Sequence, residues 1–175
     1  MTGKLVVIAI LLSALVGGGA MYYLQVYAYY YKVEAQPGRD VVLMTDEEAE
    51  PLAISYSEFT AIDATSSPIR YRACFKSGVS PTEAAASFME MPDASPRVAP
   101  GWFDCFDADE IGTLMNAGSA RAFLSAKNVA YGVDRVVVLT DDGRGFAWHE
   151  LNNCGEKAYD GTIVGEDCPP LPERN

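Results

Sequence analysis

Histidine is nearly absent: the 175 residues hold one, His149. A Ser–His–Asp or Cys–His arrangement would have to use it, and no G-x-S-x-G or other nucleophile motif accompanies it. Redox motifs are missing too. No C-x-x-C occurs, and no C-x-x-C-H haem attachment. The one run of glycines, Gly17-Gly18-Gly19, lies inside an apolar stretch and cannot cradle a phosphate. Basic residues are scarce, 13 Lys and Arg against 24 Asp and Glu. That excludes the basic footprint nucleic acid requires and disfavours anionic lipid. Carboxylates are so abundant that adjacency, as at Asp107/Asp109/Glu110 or Asp141/Asp142, says nothing for glycoside or metal chemistry. Each of those groups has a local explanation as a helix cap or a turn. The expectation is a protein with no catalytic residue, no metal and no cofactor, with His149 structural or on the surface. No internal repeat is visible.

Charge is also missing from Leu5 to Leu24. A helix of that length crosses a hydrocarbon core of about 30 Å with every backbone hydrogen bond satisfied internally. Lys4 precedes the run, and Tyr22, Tyr23, Tyr27, Tyr29, Tyr30 and Tyr31 crowd its far end, where ring and hydroxyl suit the headgroup zone. Residues 1–31 therefore read as a transmembrane anchor with a cytoplasmic N-terminus. The competing reading is a signal peptide cleaved after Ala20, with Gly18-Gly19-Ala20 as its small-residue site. Either way the rest of the chain lies outside the cytoplasm. Ala9, Ser13 and Gly17 recur at helical spacing, a face on which helices pack closely in lipid.

All 24 acidic residues lie beyond residue 31, and of the 13 basic residues only Lys4 precedes it, which leaves −12 outside the anchor. Such a charge would attract a basic protein surface or divalent cations, and it also serves solubility alone. Cys74, Cys105, Cys154 and Cys168 all lie on that side. An even count in an oxidising compartment suggests two disulfides. Of the three pairings, Cys74–Cys105 with Cys154–Cys168 is favoured, the second closing a short terminal loop.

Residues 32–39 read as a linker broken at Pro37-Gly38, 40–168 as one domain, and 169–175 as a disordered tail. Asp40–Thr45 and Leu52–Ala64 lean to strand. Ile69–Phe75 alternates, with Arg70 and Arg72 on one side and Tyr71, Ala73 and Phe75 on the other. Ser80-Pro81-Thr82-Glu83 is a capping box opening a helix towards Met89. Asp107 opens a second, closed by Gly118, and Ser119–Asn128 a third, burying Phe123 and Leu124. Val129–Val133, Asp134–Thr140 and Gly145–Leu151 read as strands, with Asp142-Gly143 as a hairpin turn. The fold class is α+β: a mostly antiparallel sheet with two or three short helices, preceded by one N-terminal transmembrane helix.

At Ile69-Arg70-Tyr71-Arg72-Ala73-Cys74-Phe75, Pro100-Gly101-Trp102-Phe103-Asp104-Cys105-Phe106 and Gly143-Arg144-Gly145-Phe146-Ala147-Trp148-His149 the chain resembles an uncharacterised family of alphaproteobacterial proteins with one N-terminal membrane segment. The likeness covers most of the chain, including Ala20-Met-Tyr-Tyr-Leu-Gln-Val-Tyr27. Its members are sometimes labelled histidine kinase, but here no phosphoacceptor helix precedes a nucleotide-binding domain and no glycine-rich ATP lid occurs. The resemblance implies a bacterial inner membrane, a periplasmic domain and no catalytic residue. The leading expectation is a non-enzymatic accessory, scaffold or assembly protein of an inner-membrane complex, with a membrane protein or a basic periplasmic protein as partner. The alternative is a small-ligand sensor or binding domain, with a pocket lined by aromatics and reached by Arg70 or Arg72. Arg70, Arg72, Trp102, Phe103 and Trp148 are the candidate partner surface; the aromatics among them would otherwise form the core around Cys105.

Overall fold

The structure, a computed structural model, describes residues 2–47 and 50–171. Helix α1 spans Thr2–Tyr23 and continues as a π-helical turn over Leu24–Ala28. At about 1.5 Å per residue α1 alone reaches about 33 Å, and the stretch Gly3–Ala28 is long and apolar enough to cross a membrane. The protein buries none of its most apolar window.

Among the described residues eight strands follow: β1 (Tyr30–Val33), β2 (Val42–Met44), β3 (Pro51–Ala53), β4 (Tyr56–Ala64), β5 (Arg72–Ser77), β6 (Ala120–Ala130), β7 (Val133–Thr140) and β8 (Arg144–Leu151). Six form one antiparallel sheet, ordered β1-β4-β5-β8-β7-β6, while β2 and β3 pair apart from it. Two short helices complete the set, α2 (Pro81–Ala84) and α3 (Ala108–Asn116). The architecture is the expected one, a mostly antiparallel sheet with two short helices after a long apolar helix.

Strand periodicity explains the layers, since alternate side chains face opposite sides. Tyr71, Ala73, Phe75, Val137, Leu139 and Ala147 face the layer made by β2, β3 and α2, where Val41, Leu43, Ile54, Ala84 and Phe88 meet them. Cys74, Val136, Val138, Phe146 and Trp148 face the other way, against Ile111 of α3 and Phe103 and Phe106 of the loop before it. The sheet is thus covered on both sides. Gly145 stands opposite Phe75, and a Cβ there would meet the ring at 2.1 Å, so the glycine makes room for the aromatic. The Asp142-Gly143 turn joins β7 to β8, with Gly143 at φ +83°.

Three local readings change. The segment 119–128 is strand, not helix: β6 pairs Ala120–Leu124 with Val136–Thr140. Phe123 goes to one core while Ala120 and Ala122 go to the other. The pairing and two-faced burial override the modest helical preference of the alanines. Asn128, expected to close a helix, takes φ +51° at an irregularity of β6. Helix α2 starts with the full Ser80/Glu83 capping box but ends at Ala84. Residues 88–90 instead bridge Thr45 and Phe123, and the Met89 amide donates to Met44 O. Finally, Tyr30–Val33, read as the end of an anchor and the start of a linker, is an edge strand paired with Ala61–Ala64. Only Glu34–Arg39 remains as connection, turning at Gly38 (φ +85°). Of the tail 169–175, residues from Pro172 onwards lie outside the described residues.

Candidate functional site

The structure pairs Cys74 with Cys105 and Cys154 with Cys168, with Cα separations of 6.2 and 4.9 Å. Both fit an oxidising compartment. The first ties β5 to the aromatic segment Trp102–Phe106, and that segment holds the most distinctive contact in the molecule.

The last turn of a helix leaves its carbonyls without intrahelical donors. Here the domain supplies donors to two of them. The Arg70 guanidinium donates to Gln25 O at 2.9 Å and to Gln25 Oε1 at 2.8 Å. Trp102 Nε1 donates to Val26 O at 2.7 Å. The Trp102 ring stacks on Tyr27 and meets Tyr30 edge-on, with centroids at 6.3 and 5.7 Å. Arg70 also lies 5.5 Å from the Tyr30 ring centroid. A cation beside a helix C-terminus is favourable, because the dipole there is negative. Gln25 and Val26 are half-buried, although the apolar run before them is exposed. The helix end is therefore clamped to the domain, and β1 begins two residues after the π-helical turn with no slack between them.

The other expected surface residues are elsewhere. Trp148 is fully buried and Phe103 nearly so, in the core behind Cys74. Trp148 Nε1 donates to Glu150 Oε2 at 3.0 Å. Arg72 is buried as well. It donates to Arg97 O and Val98 O at 2.9 Å and to the carbonyls of Ile69 and Tyr71. The proline-rich loop 92–101 is thus fastened over β5 by a cation that alternation alone places on an open face. Burial holds the Arg72 pKa down to about 10. Of the five candidates for a partner surface, only Arg70 and Trp102 are partly exposed, and both are engaged by the helix end. Ala9, Ser13 and Gly17 are exposed on α1, the Ser13 hydroxyl donating to Ile10 O. The sequence marks Gln25 and Val26 only faintly, by one glutamine between an apolar run and a tyrosine cluster.

His149 is buried against Tyr71, with ring centroids 4.7 Å apart. Arg135 Nε donates to its Nε2 at 3.1 Å, so the ring proton is on Nδ1, which donates to Pro68 O at 2.7 Å. Both nitrogens are occupied. Burial, helped by Arg135 and Arg72, pushes its pKa down to about 4. The Arg135 guanidinium lies 4.5 Å from the Tyr71 ring centroid. Asp63, nearby, has its carboxyl raised by burial.

Two open grooves flank α3. One of about 410 Å³ is lined by Glu90, Pro96, Met115 and Arg121 among others. The second, of about 330 Å³, is lined by Val98, Phe103, Phe106 and Asp107 among others. Neither is lined by Arg70, Arg72, Trp102 or Trp148. Among the described residues no group of three or more His, Cys, Asp or Glu is placed to hold a metal.

Residues 41–169 match the model of a protein family described as "Family of unknown function (DUF6446)". The chain belongs to that family. No curated protein and no solved structure matches it. The DUF6446 span holds both clamping residues, Arg70 and Trp102, and both disulfides. It leaves out α1, the π-helical turn and β1, the clamped part.

Proposed function

We propose that the protein is a single-pass component of a bacterial inner membrane, in the alphaproteobacterial setting its sequence resembles. Its N-terminus is cytoplasmic and its disulfide-bonded domain periplasmic. It works without catalysis, as an accessory, scaffold or assembly subunit of a membrane complex.

The observation that carries this reading is the clamp of Arg70 and Trp102 on Gln25 and Val26. A tether that merely localises a domain needs only a flexible linker. A domain bonded to the end of its own membrane helix has a fixed height and a fixed attitude above the bilayer. That matters for docking on a neighbour in the same membrane and is irrelevant to capturing a diffusing small ligand. The occupied nitrogens of His149 also fit a role without acid–base chemistry.

The test is crosslinking in the native membrane, solubilisation in a mild detergent and identification of what travels with the full-length chain. Stoichiometric membrane partners are expected, and a Gly/Ser insertion between Ala28 and Tyr29 should release them while the protein stays in the membrane. A protein that is always alone and monomeric refutes the reading.

A further inference from the structure

The terminal disulfide closes a segment that has no core to protect. From Gly155 to Val164 every residue is exposed. The segment is nevertheless built. Lys157 bridges Ile163, the Ala158 amide donates to Thr162 O at 2.8 Å, and the Val164 amide donates to Glu156 O at 2.9 Å. Gly161 turns the tip at φ +87°. Gly165 allows an approach that a Cβ would block, at 1.8 Å from Asn153 O. Lys127 fastens the base through Glu166 at 2.5 Å.

Tyr159 stands at the tip of this hairpin with its side chain wholly in solvent, and Ile163 and Val164 remain about 60% exposed beside it. Order without burial is unusual, because ordering each residue costs conformational entropy that packing normally offsets. Here the covalent closure and the glycines supply the order, which leaves an aromatic and two β-branched side chains presented and pre-organised.

We propose that the hairpin 154–168 is a docking finger, with Tyr159 as its anchor, for a protein whose surface carries an apolar recess ringed by lysine or arginine. Charge selects that occupant. Between the two cysteines stand Glu156, Asp160 and Asp167 against the single Lys157, with Glu166 already paired to Lys127. An anionic bilayer repels such a finger, and a second copy of this chain, at −12 outside its anchor, offers no basic field. This deepens the scaffold reading and rests on it.

The experiment places a benzoylphenylalanine photocrosslinker at position 159 of the full-length chain in its native membrane, with the same probe at the exposed Leu52 as control. Adducts specific to 159 should carry a protein with a basic contact region. That protein, purified, is then titrated against the full-length chain in nanodiscs of phosphatidylcholine. Tyr159→Ala should weaken binding about 30-fold, the effect of losing an interface anchor, and Glu156→Lys, at an exposed position, should weaken it and flatten its salt dependence. Because Tyr159 contacts no core, both variants should keep the wild-type melting temperature. Adducts to lipid only, adducts to a second copy, no adduct above the Leu52 control, or unchanged affinity of Tyr159→Ala would each overturn the proposal. If the complex still co-purifies in those cases, the scaffold reading stands without the finger; a wild-type chain found alone and monomeric defeats the scaffold reading itself.

Discussion

Acid should loosen this domain through one side chain, His149. Buried and neutral, it has a pKa of about 4, against 6.5 for a free histidine. Between those values the unfolded chain binds a proton that the folded chain refuses, so stability falls as the pH drops. The contribution is complete above about pH 6.5 and is lost by about pH 4. At about 1.36 kcal/mol per pH unit, the interval is worth about 3 kcal/mol. The groups facing the ring set the sign. Arg135 and Arg72 oppose a second positive charge, and the Pro68 carbonyl alone favours it. Asp63 works the other way: its raised carboxyl takes up a proton early in the folded state and offsets part of the loss. Glu83 and Asp142, both held low by hydrogen bonds, give up their contributions only below about pH 4.5. The assay is urea unfolding of the full-length protein in a non-ionic detergent, followed by tryptophan fluorescence from pH 7.5 to 4.5. Through His149 alone wild type should lose about 2–3 kcal/mol over this range, and Asp63 acts to reduce it. His149→Gln keeps an acceptor towards Arg135 but cannot titrate; it should start less stable and stay nearly flat. An acid slope in His149→Gln as steep as in wild type would refute the assignment.

Two further perturbations bear on the clamp and the staples. Arg70→Ala removes both bonds to Gln25; because Arg70 is half-exposed, the loss should be about 1–2 kcal/mol, read as about tenfold faster amide exchange over Val26–Tyr30. Trp102→Phe, which keeps a ring beside Tyr27 but loses the donor to Val26, should do less, and unchanged protection in both would mean that the clamp carries no energy. Replacing Cys74 and Cys105 by alanine opens a closure of 31 residues worth about 3–4 kcal/mol, and should lower the melting temperature by roughly 10 °C. Replacing Cys154 and Cys168 should leave the melting of the sheet nearly unchanged and free only the hairpin amides, since the hairpin buries no core; equal shifts for the two pairs would contradict that division.

Features written in local chemistry were readable from the sequence. The Ser80/Glu83 box, the Asp107 cap, the Asp142-Gly143 turn and the strand around Trp148 each depend on a few neighbouring residues, and each is present. What stayed hidden depends on where distant segments go. Alternation puts Arg72 on a face of β5, but nothing nearby shows that the carbonyls of residues 97 and 98 will return to cover it. Ala120–Ala130 has the composition of a weak helix and becomes a strand because β7 and two cores claim it. Tyr30–Val33 belongs by composition to a membrane interface, yet its backbone has a partner in β4. Three of the five candidate surface residues, Arg72, Phe103 and Trp148, are buried for the same reason: aromatic content predicts burial as readily as exposure, and only the second layer decides.

The clamp gives the small-residue face of α1 a consequence beyond helix packing. An α-helix turns about 100° per residue, so the eight steps from Gly17 to Gln25 leave the two side chains about 80° apart around the axis, before the π-helical turn adds its own rotation. Gln25 is fixed to Arg70, and β1 follows without slack. The azimuth of the face made by Ala9, Ser13 and Gly17 and the azimuth of the sheet are therefore one variable. A partner helix that packs on that face sets the direction in which the hairpin at Tyr159 points. A partner that seats Tyr159 likewise sets the direction which that helix face takes. In a chain with a flexible linker these two contacts would be independent; here each constrains the other. Replacing Arg70 and Trp102 together should therefore release a complex that engages both, as the Gly/Ser insertion after Ala28 does, while each contact keeps its own affinity when measured alone.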